Sequence, residues 1–234
     1  MFNFESMESA ISACEGGTNT FFDRQNFAWV THVEALYPAM RRELDQLLTA
    51  MDHLPGYEEI QVEQSELSTD TRWKIFPFHL YGKWFNENRC PATVEALKLI
   101  PRLKAAMYSI LQPGKTLPAH RGPYKGVLRY HLGLKVPFPD KCAIKVANDV
   151  RNWREGESLI FDDSHIHEAW NLGTEDRVVL FVDFSRPLPA ALSSFNEMFI
   201  NEFSKSDFIR KAEVNWANWE KAHGADIDRI LSAA

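Results

Sequence analysis

Cysteine is scarce in this chain. Its 234 residues hold three, Cys14, Cys90 and Cys142, far apart and with no C-x-x-C among them. That excludes a zinc knuckle and a disulfide framework, and leaves small core residues in a reducing compartment. Long apolar runs are absent too. Nothing approaches the roughly 18 consecutive apolar residues of a spanning helix, and Glu5 and Glu8 stand where a signal peptide would be apolar. A cytoplasmic protein with no membrane-spanning segment is expected. Basic residues are in the minority, 26 Lys and Arg against 32 Asp and Glu, for a net charge of −6. Such a balance argues against a broad nucleic-acid footprint. Internal repeats and low-complexity linkers are missing as well.

What remains is an ordinary globular composition, 45% hydrophobic and 25% charged, large enough for one sizeable core. The expected plan is a single domain over 1–234: an N-terminal helical region at 1–56, a β-rich core at 57–187 and C-terminal helices at 188–234. From His32 to about His53 the residues Val33, Leu36, Met40, Leu44, Leu47, Leu48 and Met51 recur at helical spacing, so one helix is predicted there. Leu54-Pro55-Gly56 ends it. An acidic, polar connection follows. Next comes TRWKIFPFHLYGKWF, an aromatic extended stretch read mainly as core, with Arg72, Trp73 and His79 as candidates to reach a substrate pocket. A short helix is expected within 88–101, where Pro91 falls in the first turn. In the C-terminal region Phe208, Ile209, Val214 and Trp219 are the expected packing positions.

Strand-like segments dominate from 103 to 184: KAAMYSIL, GVLRYHLGLKV, CAIKVAN, ESLIFDD and RVVLFVDF. Short strands between regular turns indicate a sandwich, jelly roll or barrel rather than a parallel α/β sheet. The Gly-Lys-Thr at 114–116 is no phosphate loop, because Ser109 occupies the position where that loop needs glycine. Side chains alternate across a strand, so Arg129 and His131 share one face, as do Arg177, Val179, Phe181 and Asp183. A buried guanidinium is costly unless it meets an anion. Arg129 and Arg177 therefore call for carboxylates, either Asp162, Asp163 and Asp183 or a carboxylate-bearing co-substrate held in a fork. Four of the eight histidines, His120, His131, His165 and His167, fall in this region. Imidazoles in such numbers suit a mononuclear metal site, although spacing alone does not choose among them.

The segments YSILQPG, HRGPYKGVLRYHLGL, IFDDSHIHEAWN and RVVLFVDFSRP, in that order and spacing, resemble the aspartyl/asparaginyl β-hydroxylase family of iron(II)- and 2-oxoglutarate-dependent oxygenases. The likeness runs from about Trp73 to Pro187. It implies a mainly β core with flanking helices (α+β), a double-stranded β-helix of the jelly-roll, cupin-like kind. It further implies that His120 and His167 ligate iron(II), that Arg177 and Ser109 hold the distal carboxylate of 2-oxoglutarate, and that Arg129 and His131 lie at its metal-proximal end. His165 has no ligand counterpart and is expected to support the site or face substrate. Gly122 stands where most such oxygenases carry a carboxylate, so water is expected at that coordination position, with Asp162 or Asp163 as the alternative.

The activity this resemblance implies is dioxygenase chemistry, with O2 and 2-oxoglutarate as co-substrates and succinate and CO2 as products. Hydroxylation is expected at an unactivated carbon, foremost the β-carbon of an aspartyl or asparaginyl group in an amino acid or peptide. The alternatives are a lipid A-type acyl-chain hydroxylase and a non-catalytic sensor binding metal and 2-oxoglutarate. Substrate selection is expected in the loops at 57–90 and 121–126, with Arg72, Trp73, Arg121 and Lys125 as candidates.

Overall fold

The computed structural model describes residues 4–233. Its N-terminal part contains α1 (Phe4–Ser12), β1 (Phe21–Phe22), α2 (Trp29–Ala35) and α3 (Tyr37–Leu47), and continues through a 3-10 segment at Leu48–His53 to α4 (Tyr57–Ile60). The sheets are built from β2 (Trp73–Leu80), β3 (Lys83–Trp84), β4 (Leu103–Leu111), β5 (Thr116–His120), β6 (Val127–Lys135), β7 (Cys142–Val146), β8 (Asp149–Asn152), β9 (Ser158–Phe161), β10 (His167–Asn171) and β11 (Arg177–Ser185). Helix α5 (Pro91–Lys98) interrupts them, and α6 (Ala190–Phe203) and α7 (Asp207–Ala233) follow.

One sheet has the strand order β1-β9-β6-β11-β4-β2-β3 and the other β5-β10-β7-β8. From β4 to β11 the chain alternates between them, except where the β7–β8 hairpin stays in the small sheet. This is the winding of a double-stranded β-helix, a jelly roll with helices packed around it. The outer face of the large sheet is apolar because helices cover it: Trp29 of α2 meets Tyr130 and Phe184, and Tyr108 donates to the Met40 carbonyl of α3. The inner face carries Arg129, His131, Arg177 and Asp183. Since both faces are buried, β6 and β11 read as nearly continuous apolar strands with a few charges inserted.

Several expectations change. The single helix over 32–53 is two, broken at Leu36 (φ −85°, ψ −3°), because Pro38 in the first turn of α3 has no N–H to continue the ladder back into α2. Val33, Met40, Leu44 and Leu47 are buried along it as predicted. The polar connection after Gly56 is ordered: Glu59 accepts from the Gly56 N–H at 2.7 Å and Glu58 from the Thr71 N–H at 2.6 Å, with a 3-10 segment at Val62–Leu67. Those acidic residues cap and tether rather than simply face water. Val214 is exposed, and the buried stripe of α7 is Ile209, Ala212, Trp216, Gly224 and Ile227. Cys90 and Cys142 are buried core residues, Cys14 is half-buried, and all three are free.

Candidate active site

His120 ends β5 and His167 begins β10, and the two are directly opposed in the antiparallel pair. Their ring centroids are 4.1 Å apart. His120 Nδ1 lies 2.7 Å from the Pro118 carbonyl and His167 Nδ1 3.0 Å from the His165 carbonyl. A carbonyl accepts an N–H, so each Nδ1 holds the proton and each Nε2 keeps a bare lone pair, the arrangement a metal ligand needs. Burial keeps both rings neutral. It pulls the His167 imidazolium down to about 3, with Arg129 and His120 adding to the effect, and lowers His120 as well. Among the described residues no cluster of three or more His, Cys, Asp or Glu side chains is poised to hold a metal ion, and the His120–His167 pair presents two bare Nε2 atoms side by side.

Gly122 explains where a carboxylate went. A Cβ built on it would stand 2.0 Å from Asp163 Oδ2, so Asp163 fills the volume that a side chain at 122 would take. Both Asp163 oxygens are buried without a hydrogen bond, although Arg129 Nη2 is 2.8 Å away. Burial, with Asp183 and Asp162 nearby, pushes its carboxyl up to about 7 against the pull of Arg129. Asp162 is committed elsewhere and drops out as a ligand candidate: it takes Lys125 Nζ at 2.8 Å, Arg186 Nη1 at 2.7 Å and the Ser164 N–H at 3.0 Å. His165 lies 3.9 Å from the same carboxylate and is only half-buried.

The two arginines differ in kind. Arg129 has the protein's own carboxylates, with Nε and Nη2 on Asp183 at 2.8 and 3.1 Å besides the Asp163 contact, and it stacks 4.1 Å over Phe181. Arg177 has none. It is 2% exposed, its Nε has no partner, Nη1 donates to the Ser109 carbonyl at 3.3 Å, and the guanidinium stacks 4.5 Å over Trp153. Burial drags it down to about 9. An unpaired buried guanidinium asks for an anion, and a carboxylate is what its fork fits. Beside it, the Ser109 hydroxyl accepts from Trp73 Nε1 at 3.0 Å. His131 is buried between Trp153, Phe161 and Phe181 with both nitrogens unsatisfied. Arg177 and His131 thus both present unsatisfied buried nitrogens on the inner face of the large sheet.

A cavity of about 170 Å3 lies beside the imidazole pair. His120, Arg129, Asp163 and Asp183 line it, and its other walls include Trp73, Leu67, Phe85, Ile209, Ala212 and Trp216 together with the polar Gln61, Gln64 and Glu213. Of the substrate-facing candidates, Trp73 and His79 line it. Arg121 is drawn away to Glu8, Lys125 to Asp162, and Arg72 is exposed outside the lining. The expected loops do contribute, through Tyr57–Phe85 and through Gly122 and Pro123, but the wall supplied by α6 and α7 was not anticipated. Trp153, the platform under Arg177, also went unnoticed, since a lone tryptophan in a polar stretch carries no signal.

Residues 34–187 match the family described as aspartyl/asparaginyl beta-hydroxylase. The chain is 45% identical over 215 residues to the ornithine lipid ester-linked acyl 2-hydroxylase of Rhizobium tropici, covering 91% of this chain and 76% of that one. It is 34% identical to human aspartyl/asparaginyl beta-hydroxylase over 68% of its own length but only 23% of the human protein's. A 2OG-Fe(II) oxygenase family oxidoreductase from Burkholderia pseudomallei superposes with a TM-score of 0.39 at 10% identity, over 49% of this chain and 68% of that one. The chain is a member of the aspartyl/asparaginyl beta-hydroxylase family of enzymes.

Proposed function

We propose that the protein is an iron(II)- and 2-oxoglutarate-dependent hydroxylase of an acyl chain in a polar lipid. The observation that carries the substrate class is the cavity: past His120 most of its walls are aromatic and aliphatic, with Trp73, Phe85, Ile209 and Trp216 among them and Gln61, Gln64, His79 and Glu213 as polar exceptions. Such a mainly apolar lining suits a hydrocarbon chain. The lipid-acting relative also matches more of this chain than the human one does, 91% against 68%.

Iron(II) on the Nε2 atoms of His120 and His167 would supply oxygen activation coupled to oxidation of 2-oxoglutarate to succinate and CO2. The protein does the rest by position. Arg177 forks the distal carboxylate, with Ser109 beside it, and Trp153 fixes the guanidinium plane. His131, held neutral, gives a donor or an acceptor without adding charge. Arg129 is locked by Asp183 at the entrance, between co-substrate and cavity. Tyr57 stacked on Trp73 at 3.8 Å closes one side against water.

A second reading, hydroxylation at the β-carbon of an aspartyl or asparaginyl group, is favoured by one feature: Arg129 lines the cavity near His120 and is a cation for an acidic substrate. The test is oxygen-dependent succinate formation by anaerobically iron-loaded protein with pooled acyl aminolipids or with acidic and amide peptides, His167→Ala serving as control. Succinate coupled to a hydroxylated acyl chain is expected. Coupling to peptides instead would replace the lipid reading, and tight 2-oxoglutarate binding without succinate in any pool would favour a sensor.

A further inference from the structure

We infer that α7 closes the far end of the acyl cavity and sets the chain length accepted, with Ala212 as the gauge position; this rests on the acyl reading above. The register across the large sheet supports it. Arg129 pairs with Asp183, Asp183 with Ala105, and Ala105 with Leu80, so one row of side chains crosses β6, β11, β4 and β2. Three interstrand gaps of about 4.8 Å put the cavity's β2 side roughly 14 Å from the strand of Arg129. The row falls from charged residues to Ala105, whose small side chain keeps the floor open, and then to an apolar edge.

There α7 crosses. Its buried stripe turns Ile209, Ala212 and Trp216 toward the cavity. Trp216 is wedged against Phe76 and Phe85 at ring distances of 6.2 and 6.5 Å, so it is fixed from behind. Ion pairs of Arg89 with Glu220 and Asp228 hold the helix in place, together with a hydrogen bond from Asn215 to the Ile60 carbonyl at 2.9 Å. Between two bulky neighbours Ala212 is the smallest of the three. Because Ala212 is in the lining, a longer side chain there takes its added volume from the cavity and shortens it.

The experiment compares native protein with Ala212→Leu and Ile209→Ala on otherwise identical acyl aminolipids of increasing chain length. Hydroxylated product and kcat/KM are read for each length, with unfolding midpoint and manganese-supported 2-oxoglutarate binding as measures of fold. Ala212→Leu should move the optimum to shorter chains, with at least a roughly tenfold fall in kcat/KM for the longest chain accepted by the native protein, the scale of discrimination that one methylene gives in a tight pocket. Ile209→Ala should move the optimum the other way. Folded variants with the native length profile overturn the gauge while leaving the lipid reading standing. No acyl turnover by the native protein overturns that reading, and the gauge with it.

Discussion

Replacing Arg177 with methionine separates two consequences that a merely structural arginine would not separate. In the free protein the guanidinium is buried and has no carboxylate; only the Ser109 carbonyl and the face of Trp153 answer it. A cation–π contact is worth about 2 kcal/mol when desolvated, less than the several kcal/mol that a buried charge costs. Methionine keeps the apolar stem and removes the charge, so the free variant should be as stable as the native protein or more stable, by up to about 4 kcal/mol. Co-substrate binding should move the opposite way. Charge-assisted hydrogen bonds are worth about 1.5–3 kcal/mol each, and a forked carboxylate takes two, so roughly 3–6 kcal/mol or about 10²–10⁴-fold in Kd should be lost. Unfolding midpoints with manganese(II), with and without 2-oxoglutarate, read both quantities: at a hundredfold excess over Kd the native protein should gain about 2.7 kcal/mol and the variant almost nothing. An unchanged Kd would remove Arg177 from the site. A large drop in free stability would show that the arginine already has its anion.

Three further outcomes are expected. His131 is held neutral well below the usual histidine value by burial and by Arg129 and Arg177; below about pH 6.5 the unfolded chain takes up a proton that the native state refuses, so stability is lost on acidification. His131→Leu should flatten that slope by roughly 2 kcal/mol between about pH 7 and 5, measured by urea unfolding across pH, and a slope equal to the native one would contradict the assignment. Gly122→Ala should cost about 1–3 kcal/mol through collision with Asp163, and Asp163→Gly in the same chain should cancel most of it; additive effects in the double-mutant cycle would mean that the two do not touch. Glu43 of α3 receives the Ala92 and Thr93 N–H groups and the Thr93 hydroxyl at 2.6, 2.9 and 2.7 Å at the start of α5; Glu43→Ala should lose about 1–3 kcal/mol in thermal unfolding, with Glu43→Gln recovering part.

The strands visible in the sequence are those with a full apolar face. Strands β4, β6, β7, β9 and β11 alternate or run apolar, and each was recognised near its observed bounds. Three others, β5, β8 and β10, were not: β8 is exposed along its whole length, β5 carries Pro118, and β10 alternates His167, Glu168, Ala169 and Trp170 without an apolar run. The small sheet was therefore nearly invisible, although it carries both candidate metal ligands. Period-two alternation did place Arg129 beside His131, and Arg177 on the face of Asp183. It could not say that Arg129 would find its carboxylates inside the protein while Arg177 would find none. That difference depends on the turn bringing Asp163 under Gly122, a contact between positions 41 residues apart.

The cavity wall lay further out of reach because its two ends come from differently anchored parts of the chain. The polar end stands on β5, β6, β10 and β11, of which all but the edge strand β5 are paired on both sides, and shifting one residue would turn every inward charge outward. The apolar end borrows Leu67 from a 3-10 segment and Ile209, Ala212 and Trp216 from a helix beyond residue 187, where the family match stops. Several ties holding that helix, such as Lys211 to Glu63 and Arg89 to Asp228, involve a substantially exposed partner and contribute little; the Trp216 packing holds more. Substitutions along α7 can therefore reshape what the cavity admits while the imidazole pair and the Arg177 pocket stay in register. The proposed function therefore predicts that substrate choice and co-substrate binding separate, with the Ala212 and Arg177 variants each changing one and sparing the other.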